Sequence, residues 1–325
     1  MKKLTYILVI FTAILFFILA LFNSTLMASA EEEANNKEEV KINILTVNKE
    51  LYTMTCDLVG DRHNVEYIFS EDDKIDEINK DDKFINNILQ KDLFIYNGFY
   101  DEEFVNEIIN SSVDSDLRII NASRGIRPIN TVLTKGEKEN PYYLLGFSEY
   151  KVALYNIKIA LQERDVENRN YYEENYNRII EKLDKALQLI KKEIQEYNNF
   201  EIYTNTDKFD YMFRDLDLEV NKIDSSNKEV KEGEGLKEEE IQEEKDFEEV
   251  ESYQELKIDE EKTKIFIYDT NSQSKENIIE ETNSKFIYLG LSSVEDDNVI
   301  ISNGNKIIEK IKNNNKGWFY YFYKI

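Results

Sequence analysis

Few residue types in this sequence are suited to catalysis or to tight metal binding. The 325 residues include one histidine, His63, and one cysteine, Cys56, so several imidazoles or thiolates cannot gather in one metal site. The sequence has no Gly-x-Ser-x-Gly motif, no phosphate-binding loop and no His-Glu-x-x-His motif. Carboxylates are too frequent for a pair of them to indicate acid–base catalysis. The sequence therefore predicts a protein that is not an enzyme.

The single histidine lies in the segment GDRHNVEY, directly before an apolar run that is typical of a strand. A metal site needs several donors that converge on one point. We therefore expect His63 to be a surface or turn residue rather than a metal ligand.

The charge of the chain limits its partners. The 66 acidic and 41 basic side chains give a formal net charge of −25. Such a charge repels phosphate backbones and anionic lipid head groups at long range, so nucleic acid is not expected as a partner. The length is sufficient for two ordinary domains with a substantial buried core.

The first 30 residues have the composition of an export signal or an N-terminal membrane anchor. Two lysines precede the apolar run Leu4–Phe22, and an Ala-Ser-Ala site at 28–30 precedes an acidic spacer at 31–40. The apolar run is also long enough to cross a bilayer as a helix. We expect an exported protein, either on the extracellular face of the cell membrane through an uncleaved anchor or secreted. Lipidation at the end of the run would need a cysteine there, and Cys56 lies too far along the chain.

Short apolar runs alternate with amphipathic segments between residues 41 and 148. Strands that alternate with short helices indicate parallel β-α-β units, so this region is predicted to be an N-terminal α/β lobe. The predicted strands are 41–47, 65–69, 92–96 and 118–122, and the predicted helices are 51–59, 81–90 and 103–109.

Residues 149–198 are predicted to be helical, with one helix at 149–162 and a long one at 168–197. Apolar residues recur every three or four positions along the second, which places them on one face. Such a helix would extend about 45 Å at 1.5 Å per residue, as an amphipathic packing helix or as a rigid spine between two lobes. The apolar stripe consists of Tyr172, Tyr176, Ile179, Leu183, Leu187, Ile190 and Ile194.

Residues 199–325 are predicted to form a second, C-terminal α/β lobe. The acidic segment 224–262 interrupts it between the first two predicted strands, and its low apolar content is typical of a disordered or loosely helical insertion. The predicted strands are 200–204, 264–268 and 285–289, and the predicted helices are 274–281 and 305–312.

Several segments, taken in order and with their spacing, resemble one protein family. The segments are VGDRHNVEYIFSEDD, LQKDLFIYNGFYDEEF, ENPYYLLGFSEYKVALYNIKIAL, TNTDKFDYMFRDLDLEV and TKIFIYDTNSQSKENIIEETNSKFIYL. They are similar to the metal-binding solute-binding proteins of zinc and manganese ABC importers, including the streptococcal adhesin-like lipoproteins. The resemblance covers about residues 42–312. It implies two α/β lobes joined by a long backbone helix, with the ligand cleft between the lobes and the Asn97-Gly98 turn at its entrance.

The resemblance implies four metal-ligand positions, and this sequence departs from the family at each of them. The family histidines correspond to Lys74, Tyr142 and Thr206, and the family aspartate falls near Val294. A protonated lysine repels a cation, and a neutral phenol is a poor ligand for zinc. The implied metal site is therefore degenerate.

Carboxylates remain near these positions, at Glu139, Asp207 and Asp296. Since Ca²⁺ and Mg²⁺ prefer oxygen donors, these side chains could bind a hard divalent cation weakly. The alternative is that they are solvated charges on the surface of an acidic protein. No cofactor is predicted beyond such a cation.

Two functions fit the sequence. The first is the exported binding component of a metal-ion ABC importer, a monomer that captures a divalent cation or an altered small ligand and delivers it to a membrane permease. The second is a binding or adhesion module that keeps the scaffold without transport. The resemblance favours the first, and the replaced ligands favour the second.

Overall fold

The computed structural model describes residues 41–69, 82–99, 102–133, 138–223, 262–271, 286–292 and 298–315. The described residues from Asn43 onward belong to one compact unit. No helix in the described ranges combines the length and the hydrophobicity needed to cross a membrane, and the run Leu4–Phe22 lies outside those ranges.

The first lobe contains a parallel sheet whose strand order, within the described residues, is β2-β1-β3-β4. The order reverses between β1 and β3, and α/β sheets bind ligands at the carboxyl ends of strands at such a reversal. In chain order the elements are β1 (Asn43–Asn48), α1 (Lys49–Val59), β2 (Asn64–Phe69), α2 (Asp82–Leu89), β3 (Leu93–Tyr96), α3 (Glu102–Ser111) and β4 (Arg118–Asn121).

The strands and helices of this lobe agree with the hydrophobic pattern of the sequence. Leu93, Phe94 and Ile95 of β3 are fully buried, as expected for a strand covered on both faces. At the end of β1, the side chain of Asn48 accepts a hydrogen bond from Leu51 N at 3.1 Å and caps α1. The first residue after that strand therefore starts a helix without an intervening loop.

Two helices follow a short 3₁₀ turn at Tyr143–Leu145: α4 (Phe147–Arg164) and α5 (Arg169–Gln195). Within the predicted stripe on α5, five side chains are buried and the other two, Tyr176 and Leu187, are half-buried. The helix contacts α1 of the first lobe and the closing helix of the second lobe, Val299–Asn315. These contacts support the interpretation of α5 as a spine between the lobes.

The second lobe repeats the topology of the first, with the described strands in the order β6-β5-β7-β8, all parallel. Its elements are β5 (Phe200–Thr204), α6 (Asp210–Asp215), β6 (Val220–Lys222), β7 (Thr263–Asp269), β8 (Ile287–Leu291) and α7 (Val299–Asn315). The two lobes and their parallel sheets confirm the predicted fold class.

The hydrophobic pattern of the sequence did not predict α6 and β6. Each is too short to display a period: β6 has three residues, and α6 has six. The acidic segment therefore follows β6 and does not separate the first two strands of the lobe. Residues 224–261 and the predicted helix 274–281 lie outside the described ranges.

The closing helix α7 begins six residues before its predicted start. Asn298 accepts a hydrogen bond from Ile301 N at 3.2 Å and caps the helix. Gly304 of α7 packs against Ile190 of α5. The glycine allows close contact between the two helices.

Candidate metal centre

A cavity of about 620 Å³ lies where the two lobes meet. It is lined by a residue that follows β3, by the segment that leads to α4, and by the turn that follows β5. The lining residues are Phe99, Thr131, Leu133, Lys138, Glu139, Pro141, Tyr142, Asn205, Thr206 and Asp207.

Four of the seven site residues singled out in the sequence line this cavity. Tyr142 and Thr206 are two of the implied ligand positions, and Glu139 and Asp207 are two of the candidate cation-binding carboxylates. The other three residues, Lys74, Val294 and Asp296, lie outside the described residues.

Asn97 and Gly98 form a closely packed turn between β3 and the lining residue Phe99. Gly98 has a φ of 90°, and a Cβ at this position would clash with the side chains of Asn121 and Ser123. Asn97 is buried, and its carbonyl oxygen accepts a hydrogen bond from the Tyr143 hydroxyl at 3.0 Å. The Asn97-Gly98 pair thus links β3 to the segment that carries Tyr142.

Asn140 holds the two lobes together next to the cavity. Its side chain is buried, and Nδ2 donates to the carbonyl oxygen of Asp207 at 2.8 Å. Its Oδ1 accepts from Tyr142 N at 3.0 Å, and its carbonyl oxygen accepts from the Tyr211 hydroxyl at 2.9 Å. Asn140 therefore sets the distance between Tyr142 and the turn after β5.

Two further hydrogen bonds join the same segment of the first lobe to the second lobe. Ile129 N donates to the Tyr211 hydroxyl at 3.2 Å, and Leu133 N donates to Asp207 Oδ2 at 3.0 Å. With the bonds of Asn140 to Asp207 and Tyr211, four hydrogen bonds among the described residues cross the cleft here. We call these four bonds the lobe tie.

Hydrogen bonds between backbone atoms and side chains fix Thr206 in the turn after β5. Thr206 N donates to Thr204 Oγ1 at 3.3 Å, and Thr206 Oγ1 accepts from Lys208 N at 3.2 Å. Lys222 Nζ donates to the Thr206 carbonyl oxygen at 2.8 Å. The threonine hydroxyl stabilises the turn, so it is a weak candidate for a metal ligand.

Asp207 and Asp210 share one lysine. Lys222 Nζ lies 3.0 Å from Asp207 Oδ1 and also bonds Asp210 Oδ1. Burial raises the pKa of Asp210 to about 6, and the neighbouring Asp207 adds to the rise while Lys222 opposes it. A single ammonium therefore serves two carboxyl groups, and the Asp207 carboxylate is already engaged by Lys222 and Leu133.

A second lysine neutralises another carboxylate near the cavity, although neither residue lines it. Lys208 Nζ lies 2.5 Å from Oδ2 of Asp269, the last residue of β7, whose side chain has no solvent exposure. The same ammonium lies 5.3 Å from the centre of the Tyr142 ring.

Further side-chain oxygens among the described lining residues belong to the exposed Tyr142 phenol, the exposed Glu139 carboxylate, the Thr131 hydroxyl and the Asn205 amide. In the part of the chain that the structure describes, no group of three or more His, Cys, Asp or Glu side chains is placed to hold a metal ion. The cavity can thus offer oxygen donors, which suit hard cations better than zinc.

The expectation that His63 lies on the surface is wrong. Its side chain is buried, with Nε2 3.1 Å from Asp165 Oδ2 and 2.5 Å from the Tyr172 hydroxyl. Asn168 Nδ2 donates to the same Asp165 oxygen at 2.8 Å. Asp165 and Asn168 belong to the α4–α5 connection and Tyr172 to the start of α5, about a hundred residues away, so no local pattern could predict these contacts. His63 does precede β2 in a bend, as the sequence indicated.

The sequence of the chain matches a known family. Residues 44–313 match the family described as the periplasmic zinc-uptake complex component A, ZnuA. The chain belongs to this family. Membership confirms the resemblance to the solute-binding proteins of zinc and manganese importers.

Individual family relatives are distant. The chain is 24% identical over 212 residues to the high-affinity zinc uptake system protein ZnuA of Bacillus subtilis, an alignment that covers 60% of this chain and 63% of that protein. It is 27% identical over 208 residues to the manganese ABC transporter substrate-binding lipoprotein PsaA of Streptococcus pneumoniae, with 61% and 63% covered. The chain thus matches less than two thirds of the length of either relative.

Solved structures share the fold. A Zn(II)-bound mutant variant of AdcAII from Streptococcus pneumoniae superposes with a TM-score of 0.61 at 18% identity, over 84% of this chain and all of that chain. At this identity the similarity concerns the two-lobe fold alone.

Proposed function

We propose that this chain is the solute-binding component of a metal-ion ABC importer, exported to the extracellular face of the cell membrane or secreted. It would act as a monomer that delivers its solute to a membrane permease. Family membership supports this role, and the names of two relatives describe zinc uptake and manganese ABC transport. A transport component of this kind is not an enzyme.

One observation carries the proposal. Tyr142 and Thr206, two of the ligand positions that the resemblance implies, line the same cavity although 64 positions separate them in the chain. Glu139 and Asp207 line it as well. A cleft at the carboxyl ends of parallel strands, lined from both lobes, is the expected place for a solute.

The side chains of the cavity indicate the class of solute. Without imidazole or thiolate among the described lining residues, zinc would lack the donors that give it tight binding. Phenol, hydroxyl and carboxylate oxygens favour hard divalent cations such as Ca²⁺, Mg²⁺ and, to a lesser degree, Mn²⁺. We therefore expect weak cation binding with little preference for zinc.

Titration calorimetry tests this expectation. The full-length chain, purified in detergent and treated with a chelator, is titrated with ZnCl₂, MnCl₂ and CaCl₂. We expect no tight zinc site and at most weak binding of the harder cations. One-site nanomolar zinc binding would show that the site is not degenerate.

A gain-of-function variant provides the positive control. The triple substitution Lys74→His, Tyr142→His and Thr206→His should create measurable zinc affinity if the three positions converge. A triple variant that folds and still binds no zinc would contradict the assignment of these positions to one site.

The second candidate is a binding or adhesion module that does not support transport. The engagement of Asp207 by Lys222 favours it, since that carboxylate is less available to a cation. Growth of the host in metal-limited medium separates the two functions: deletion of the gene slows growth only if the chain serves import.

A further inference from the structure

The ion pair between Lys208 and Asp269 has the properties of a filled cation site. Asp269 ends β7, which pairs with β5 in the centre of the second sheet, and its carboxylate is completely shielded from solvent. A shielded carboxylate requires a positive partner, because an uncompensated buried charge costs several kcal/mol. Lys208 provides that partner at 2.5 Å, with only 18% of its side chain exposed.

The position of the ammonium relates the pair to the cleft. Lys208 Nζ contacts the Asp269 carboxylate and also lies 5.3 Å from the centre of the Tyr142 ring, which lines the cavity. Lys208 is only two positions after Thr206, another lining residue. Lys208 thus lies next to two lining residues, Tyr142 and Thr206, and its ammonium contacts a carboxylate that is not itself part of the cavity lining.

The neighbouring lysine follows the same principle. Lys222 donates to the Thr206 carbonyl oxygen and pairs with both Asp207 and Asp210, which gives its ammonium three oxygen partners. Two ammonium groups of the chain therefore neutralise carboxylates on the second-lobe side of the cleft. A divalent cation that used these oxygens would have to displace one of the two.

We propose that Lys208 is a tethered cation that occupies Asp269 and thereby sets the low affinity of the cleft for divalent metal ions. Since this role presupposes the proposed cation-binding function, Lys208 is a specificity-determining residue of the same site. Removal of its charge leaves a shielded carboxylate beside Tyr142, and a divalent cation is the natural replacement. A cation that binds there should restore the stability lost with the lysine.

The test compares four forms of the full-length, chelator-treated chain in detergent: the wild type, Lys208→Met, Lys208→Met combined with Asp269→Asn, and Lys192→Met. Lys192 of α5 is exposed, carries the same charge and does not line the cavity, so its substitution controls for the change of net charge. The affinity for MnCl₂ and CaCl₂ is measured by calorimetry, and the thermal midpoint is measured with and without each salt.

We expect Lys208→Met to bind at least one of the two cations ten-fold or more tightly than the wild type. Its thermal midpoint should be lower without cation and should rise when cation is added. The double variant should lose the gain, because the carboxylate is absent, and Lys192→Met should change the affinity less than three-fold. If Lys208→Met does not fold, Lys208→Gln is used, whose amide still donates to Asp269 without a charge, and the same gain is expected.

The outcomes separate this role from the proposed function. A folded Lys208 variant with unchanged affinity, or an equal gain in Lys192→Met, overturns the role of Lys208, while weak binding by the wild type would still support cation capture. Binding by the Lys208 variant alone supports the tethered cation and contradicts cation capture by the native chain. Binding by none of the four forms contradicts both.

Discussion

Asp210, which shares Lys222 with Asp207, responds to pH in a direction that its burial determines. Because burial raises the pKa of Asp210 to about 6, the folded protein retains this proton after the unfolded chain has released it near pH 4. The stabilisation linked to this proton is complete below pH 4 and is lost as the pH rises through 6.

Replacement of Asp210 by asparagine should remove this loss. The free energy of unfolding of Asp210→Asn, relative to that of the wild type, should therefore increase from pH 4 to pH 7. The upper bound of this increase is about 3 kcal/mol, since one pKa unit corresponds to about 1.4 kcal/mol. Calorimetry at several pH values measures the trend, and the exposed Asp114→Asn serves as the control. A difference that does not vary with pH would contradict the assignment.

Part of the candidate site could be located from the sequence, while the contacts around it could not. Tyr142 and Thr206 were located through their similarity to family segments. The bond of Asn140 to the carbonyl oxygen of Asp207 joins residues 67 positions apart, and Lys208 reaches Asp269 across 61 positions. Spacing within a segment contains no information about such contacts, so Asn140 and Lys208 were missed.

The elements themselves followed from periodicity where they were long enough to show it. The 27 residues of α5 and the buried strand β3 could be predicted because their apolar patterns repeat or run unbroken. The start of α7 could not, because its first turns contain serine, asparagine and glycine, which disfavour helices, and its stability comes from packing on α5.

The contact between α5 and α7 gives a sharp test of that packing. An added Cβ at Gly304 would lie 2.6 Å from Ile190 Cδ1, and Ile190 is buried. Although alanine favours a helix by about 1 kcal/mol over glycine, overpacking costs about 1–3 kcal/mol. Gly304→Ala should therefore lower the free energy of unfolding in urea.

A second substitution should restore it. Ile190→Val removes only the clashing methyl group, so the double variant should be more stable than the sum of the two single effects predicts. Additive effects in this double-mutant cycle would show that the added Cβ at position 304 does not clash with Ile190.

The acidic segment between β6 and β7 should be replaceable. Its composition predicts little burial, and loop-closure entropy changes by only about 0.6 kcal/mol for each doubling of length. Both strands are parallel neighbours of β5, so the connection must return across the sheet, which takes about a dozen residues. A Gly/Ser linker of about 15 residues in place of 226–260 should leave the unfolding cooperative and shift its free energy by about 1 kcal/mol or less. Loss of the cooperative transition would mean that the segment is structural.

The way in which the whole molecule is held at the cell surface can be tested in the native host. If the run Leu4–Phe22 is retained as an anchor, the protein should resist high-salt washing and be released by detergent at the mass of the full chain. Fractionation followed by mass spectrometry measures both properties. Protein that begins at Glu31 and accumulates in the culture medium would contradict the anchor and support secretion.

The lobe tie has a consequence for the speed of solute exchange. Separation of the lobes as rigid bodies would break four hydrogen bonds, each of which contributes about 0.5–1.5 kcal/mol net. A solute bound with millimolar affinity supplies only about 4 kcal/mol in total, which leaves little to drive a large rearrangement. The radius of gyration should therefore hardly change when the protein is saturated with solute. The cavity should stay open to solvent, so the solute should enter and leave within milliseconds.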